Sequence, residues 1–157
     1  VTSGGIRLPA PEVAACILDS YATRLGTPLL EASGDPETDA QHLMELDAVV
    51  LSHDGAADPR FVYANRAAAS LWRMPLDELV GMPSRLSAPP EQRRDRSQML
   101  FEAARAGCLR GYEGERVAKD GTRFLIRNAT LWTVDGYPER PGQAVVFTDW
   151  EILTDPG

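Results

Sequence analysis

Cysteine, histidine and long apolar runs are all scarce in this 157-residue chain, and each scarcity closes off a class of protein. Two cysteines, Cys16 and Cys108, stand far apart in unlike surroundings, too few for a disulfide framework. Two histidines, His42 and His53, belong to no Cys/His cluster with the spacing of a zinc site. No apolar stretch approaches the ~18–20 residues of a membrane-spanning helix, and the N-terminus lacks the charged-then-apolar order of a signal peptide. Positive charge is in the minority: 16 Lys and Arg face 23 Asp and Glu, a net charge of −7 at pH 7. Such a surface repels phosphate backbones and anionic lipid, which argues against nucleic acid and membrane as partners. What is there, 43% hydrophobic and 25% charged residues, is an ordinary globular composition on a length that suits one domain. A chain of this size buries roughly 70% of its unfolded surface and needs neither metal nor disulfide to fold. The expectation is a cytoplasmic protein with a single folded domain.

Residues 1–8 read as a lead. After Pro9 and Pro11, the run PEVAACILDSYATRLG places Val13, Ile17, Tyr21 and Leu25 four apart. That spacing makes one stripe of a helix, stopped by Gly26 and Pro28. The stripe either packs on the domain or meets a copy of itself in a two-fold seam. Pro36, after a turn at Gly34 and Asp35, opens a short helix through Leu43, Met44 and Leu46. The apolar runs at 48–51 and 61–64 predict two strands, the first closed by His53-Asp54-Gly55. Asn65 then caps a helix over 66–72, and Pro75 starts a short one over 76–80. Pro89 and Pro90 lead into a longer helix over 91–106, with Met99, Leu100 and Ala103 as its buried stripe and Gly107 as its end. Segments 109–119 and 122–134 flank an Asp120-Gly121 hairpin turn, and 143–150 is the final strand. Two strands, several helices and three strands make an α+β domain, a five-stranded antiparallel sheet with helices on one face. The division expected is an N-terminal helical extension over 1–46, the domain over 47–151 and a short tail over 152–157.

The segments FVYANRAAASLWRMPLDELVGMPSR, RVAKDGTRFLIRNATLW and GQAVVFTDW, in that order, resemble the PAS fold. More narrowly, FVYANRAA, GMPSRLSAPPEQR and GQAVVFTDW resemble the MEKHLA domain, a PAS-like module of small bacterial proteins and of plant class III homeodomain–leucine-zipper regulators. The resemblance covers about residues 40–150. It implies five strands and a helical cassette around a small internal cavity, together with a sensory or regulatory theme. It implies no particular ligand.

Flavin and haem are both disfavoured. In the light, oxygen and voltage relatives of the PAS fold, a cysteine on the short helix after the family's glycine adds to the flavin. Counting from Gly81, that place falls on Ser84, whose hydroxyl is too weak a nucleophile. The resemblance also places flavin's polar contacts at Arg116, Ile126 and Phe147, two of which cannot hydrogen-bond. PAS haem sensors carry their proximal His on the long helix, and 91–106 has none. His42 and His53 read as surface or turn residues, and Cys108 as a small apolar residue at a helix end.

A small ligand remains. Strand alternation turns one parity set inward, and that set supplies Tyr112, Arg116, Ile126, Asn128, Thr130 and Phe147 as pocket candidates. One buried Arg among neutral donors and apolar walls suits a small carboxylate or another anionic metabolite. The alternative is that Arg116 pairs with a local carboxylate such as Asp149 while Asn128 satisfies backbone groups. Catalysis has little behind it, because no Ser/His/Asp trio and no phosphate-cradling glycine loop is present. A small cone-type enzyme of the isomerase or dehydratase kind would need an acid–base pair in the same cavity, and none can be named. Arg93, Arg94 and Arg96 form the densest basic cluster. With Glu91, Asp95 and Glu102 on the same helix, they read as intrahelical pairs on a solvated face. The expectation is therefore a non-enzymatic, PAS-like sensory or regulatory domain. It would bind a small ligand, pair through Val13, Ile17, Tyr21 and Leu25 or with a partner regulatory protein, or do both. No kinase, cyclase or DNA-binding segment is visible, so a signal would pass to another chain.

Overall fold

The structure is a computed structural model that describes residues 10–154. Two helices come first, α1 (Ala10–Leu25) and α2 (Pro36–Glu45). Asp35 caps α2, its carboxylate accepting from the Thr38 backbone N–H at 3.2 Å and from the Thr38 hydroxyl at 2.6 Å. Strands β1 (Val49–His53) and β2 (Phe61–Ala64) follow, then helices α3 (Arg66–Trp72) and α4 (Leu76–Leu79). Two short 3₁₀ turns, Ser84–Ser87 and Pro90–Gln92, lead into α5 (Arg93–Ala106). The chain closes with β3 (Cys108–Val117), β4 (Arg123–Val134), β5 (Gly142–Phe147) and β6 (Asp149–Thr154). Pro36 and Pro75 stand where their missing N–H groups cost nothing.

The sheet runs β2-β1-β5-β4-β3 with every pairing antiparallel. The five expected strands are there, and the last of them differs from expectation. It is two collinear strands rather than one: β5 lies between β1 and β4, and β6 continues past the end of β1 to pair with β4 alone. The register carries through the break, with Thr130 opposite Val146 and Arg127 opposite Asp149. Between them Asn128 takes a left-handed backbone, φ 53°, which interrupts the ladder.

Each face of the sheet has its own core. On the inner face α3 and α4 press Leu71, Trp72 and Leu79 against Val49, Phe124 and Phe147. Trp72 meets Phe124 edge-on at 5.0 Å between ring centroids and Phe147 at 6.4 Å. On the outer face lie α1 and α2. Val13 and Ile17 are buried there beside Val50, Trp132 and Val134, and Tyr21 meets Trp132 edge-on at 4.9 Å. "Helices on one face" thus describes α3 to α5, while the N-terminal helices cover the other face. Between the two alternatives for the stripe, Val13, Ile17, Tyr21 and Leu25 pack on the chain's own sheet. A buried aliphatic side chain contributes roughly 1.5–3 kcal/mol, so these positions are spent on folding.

Asn65 joins the layers. Its Oδ1 accepts from the N–H groups of Ala68 and Val50, both at 3.1 Å. Its Nδ2 donates to the carbonyls of Ala48 at 2.8 Å and Leu43 at 3.2 Å. One fully buried side chain therefore caps α3, fixes the edge of β1 and holds the end of α2.

Candidate ligand pocket

Between α5 and the inner face of the sheet lies a cavity of about 40 Å³, room for a few ordered waters or a very small organic molecule. Leu51, Phe61, Trp72, Ile126 and Val145 supply apolar wall. Six further side chains bring polarity: His53, Ser87, Arg96, Tyr112, Arg116 and Gln143. Two larger hollows open on the surface, about 380 Å³ between α1 and residues 28–40 and about 310 Å³ between α3 and β6. Neither is lined by a residue whose buried side chain lacks a hydrogen-bond partner, whereas three residues of the cavity beneath α5, His53, Trp72 and Arg96, carry such an atom.

Three strands, one helix and the 3₁₀ turn at Ser84–Ser87 deliver the polar groups. Tyr112 and Arg116 are four apart on β3 and so share a face, with Gly114 between them. Arg116 Nη2 donates to the Tyr112 hydroxyl at 3.0 Å, and Nη1 donates to the Glu115 carbonyl at 2.8 Å. His53 and Gln143 are direct cross-strand neighbours on β1 and β5. Gln143 Nε2 donates to the Leu100 carbonyl at 3.0 Å, which ties the sheet to α5. Arg96 enters from α5 on the same stripe as Leu100 and Ala103, and only 7% of it is exposed.

The electrostatics of the cavity are one-sided. Neither Arg96 nor Arg116 has an ion-pair partner among the described residues, and no carboxylate lines the wall. Arg96 Nε has no hydrogen-bond partner at all. Burial, reinforced by the neighbouring Arg116 guanidinium, pulls the Arg96 pKa down to about 9, so it stays charged at neutral pH. His53 is neutral, its pKa held at about 4 by burial. Its Nδ1–H donates to the Asp54 carbonyl at 2.8 Å, which leaves the Nε2 lone pair facing inward without a donor. Trp72 Nε1 is likewise unpartnered. Two cations and several free polar atoms thus meet around one hollow.

Of the residues the strand pattern turned inward, Tyr112, Arg116 and Ile126 line this cavity. Phe147 packs behind it, in the core with Trp72. Asn128 and Thr130 do not belong to the pocket. The left-handed turn of backbone at Asn128 flips the alternation: Asn128 is exposed, Ala129 and Leu131 face inward, and Thr130 stands opposite Val146 on the side of α1. Asp149 does not reach Arg116; it pairs with Arg127, which also pairs with Glu151. The basic cluster on α5 is corrected too. Glu91 pairs across to Arg123, Arg93 donates to the Arg85 and Ala88 carbonyls, and Arg96 is buried rather than solvated. The signal for Arg96 was its place three and four residues ahead of Met99 and Leu100, on the stripe that faces the sheet. His53, the end of a strand buried along its whole length, is no turn residue. His42 is exposed, and Cys16 and Cys108 are free and half-buried. No group of three or more His, Cys, Asp or Glu among the described residues is placed to hold a metal ion.

The residues do not fit a tricyclic flavin or a haem. Trp72, Phe124 and Phe147 fill the interior, and the remaining space is far below the roughly 300 Å³ at which pockets for drug-sized ligands begin.

The fold has many solved counterparts. Over 75% of this chain and 96% of the other, it superimposes on the PAS domain of a protein from Colwellia psychrerythraea, with a TM-score of 0.61 at 14% identity. A PAS domain from a two-component sensor histidine kinase gives 0.56 at 13% identity, over 74% of this chain and 96% of that one. A fungal LOV domain photoreceptor gives 0.54 at 19% identity, over 86% and 90%. At such identities the likeness establishes a PAS-like fold and nothing further. No curated protein matches. The model of the MEKHLA domain matches residues 11–152, from within α1 to within β6, and the chain accordingly belongs to the MEKHLA domain family.

Proposed function

We propose that this protein is a sensory or regulatory domain without chemistry of its own, and that it works by taking a small ligand into the cavity beneath α5. One observation carries this reading: two buried guanidiniums, Arg96 and Arg116, line the hollow with no ion-pair partner among the described residues, and three of its lining residues, His53, Trp72 and Arg96, carry a buried nitrogen without a hydrogen-bond partner. Leaving such groups buried and unsatisfied costs about 1–3 kcal/mol each, more for a charge, and a ligand that pairs with them recovers it. The Gln143 contact to the Leu100 carbonyl gives occupancy a route outward, since the ligand would touch both the sheet and α5. The runner-up, an isomerase- or dehydratase-like enzyme in the same cavity, lacks an acid to work with His53. The net charge of −7 agrees with a cytoplasmic protein whose partners are neither nucleic acid nor membrane.

Signal output through another protein is the second part of the reading. With the α1 stripe buried, pairing through Val13, Ile17, Tyr21 and Leu25 is replaced by a different candidate. Trp150 and Ile152 on β6 are both more than a third exposed and stand together beside the groove at α3.

The test is a thermal-shift screen of the purified protein against a broad metabolite panel, run beside Val145→Leu. One added methylene in a cavity of about 40 Å³ removes much of its space. A ligand that raises the Tm of the wild type and not of Val145→Leu supports the pocket. A panel that shifts neither, with nothing found by mass spectrometry of the native protein, overturns it.

A further inference from the structure

We infer that the ligand is a short-chain carboxylate, its two oxygens shared between the Arg96 guanidinium from α5 and the Arg116 guanidinium from β3. The inference rests on the pocket reading above and names the chemistry of its occupant. Four observations support it.

The first is charge balance. Two guanidiniums, each 93% removed from solvent by the exposures of 7%, line one small hollow whose wall holds no carboxylate. Buried charges in proteins are ordinarily paired, and a cavity that concentrates two of one sign is incomplete without a counter-charge. The second is the vacancy on Arg96 itself. Its Nε has no partner, and no hydrogen bond or ion pair engages its side chain among the described residues. Arg116, in contrast, is pre-oriented: Tyr112 and the Glu115 carbonyl each hold one terminal nitrogen. A guanidinium fixed in place on β3 and a second, with a free Nε, on α5 line the same hollow and can share a planar two-oxygen anion.

The third observation is the rest of the wall. Leu51, Phe61, Ile126 and Val145 supply apolar surface that suits the stem of a carboxylate better than a phosphate or sulfate, whose four oxygens all need donors. A carboxylate on a short apolar stem fits both halves of the site. The fourth is size. About 40 Å³ holds roughly three water-sized spheres, which favours the smallest acids, about the size of acetate or propionate. The depressed Arg96 pKa agrees with a cation that is waiting for its partner.

A shared anion would also join α5 to β3, adding a second tie to the one that Gln143 makes with the Leu100 carbonyl. Arg96 is then a residue kept at the expense of the empty protein's stability, and this separates a ligand clamp from a structural arginine.

The experiment compares acetate, propionate and butyrate with their uncharged amides and with inorganic phosphate, at constant ionic strength, by thermal shift and calorimetry. The carboxylates are expected to raise the Tm by roughly 5–10 °C at a hundredfold excess over Kd. The amides and phosphate are expected to do little. Arg96→Met should keep or raise the Tm of the empty protein and abolish the carboxylate shift, and Arg116→Gln should abolish the shift independently. Amides that act as well as acids would overturn the carboxylate assignment and leave the pocket standing. Phosphate acting without the acids would overturn it as well, as would a carboxylate shift that survives both substitutions. If no acid shifts the wild type, the assignment falls, and the metabolite panel then decides the pocket separately.

Discussion

The Tyr112 hydroxyl and the Arg116 guanidinium meet at 3.0 Å directly above Gly114. A Cβ on Gly114 would stand 2.0 Å from that hydroxyl and 3.0 Å from Arg116 Nη1. The glycine is there for the pocket, because its backbone lies outside the left-handed region where a side chain is strained. Gly114→Ala is therefore expected to displace the flexible end of Tyr112 rather than to unfold the strand. Its denaturation midpoint should stay near that of the wild type, while ligand affinity falls by about tenfold, the worth of one charged hydrogen bond. Tyr112→Phe should reproduce the loss of affinity without the clash. A variant that unfolds instead would assign the glycine to the sheet.

Much of this fold was legible before any coordinates. Proline and asparagine positions located α2, α3 and α4 because capping is a local matter: Pro36, Asn65 and Pro75 act on the residues beside them. The site was only half legible, for two physical reasons. Alternation along β4 holds until a single residue adopts positive φ; in RNATLW the Asn is the residue type that tolerates it best, but the string does not show that it takes it, so alternation alone misplaces Asn128 and Thr130. Charge misleads in a different manner. Arg96 sits in the most polar stretch of the chain, and a helix that begins Arg-Arg-Asp-Arg reads as solvated. Its apolar stripe of Met99, Leu100 and Ala103 was the stronger guide, and it leads back to Arg96. The two faces of the sheet were harder still, since an amphipathic helix announces that it will be covered without saying by what.

Asn65 is expected to be the most sensitive polar position in the core. Asn65→Ala removes an α3 cap and leaves the Val50 N–H and the Ala48 carbonyl without this partner, while the Leu43 carbonyl keeps the Leu46 N–H. A loss of about 3 kcal/mol follows from the cap and the buried unsatisfied groups together. Asn65→Asp keeps the acceptor but abolishes both donors and buries a charge, so it should be no milder. Urea denaturation of the two variants checks this. A mild Asn65→Asp would mean that the cap alone matters and that α2 is held by other contacts.

Ile17 separates the two uses of the α1 stripe. It is fully buried against the sheet, so Ile17→Ala should lower the folding free energy by about 2–5 kcal/mol. The midpoint should not depend on protein concentration if the contact is internal, whereas an intermolecular seam makes it rise with concentration. Light scattering on the same samples completes the test. An unchanged midpoint with a change of mass on substitution would return the stripe to dimer formation.

His53 makes the protein acid-sensitive in a defined window. Its pKa in the folded chain is about 4, lowered by burial and further by the Arg96 charge, while the Asp54 carbonyl and carboxylate and the Gln143 side chain pull it up. In the unfolded chain it reverts to about 6.5. Between those values the unfolded state binds a proton that the native state refuses, so stability falls as pH drops from about 6.5 to 4 and levels off below. The full difference corresponds to roughly 3 kcal/mol. His53→Gln, which cannot titrate, should lose about 2–3 kcal/mol less than the wild type between pH 7.5 and pH 4.5. Carboxylates titrate in both proteins, so the comparison isolates the imidazole. Parallel pH profiles would mean that the imidazole titrates alike in the folded and unfolded chain, and that burial does not hold its pKa down.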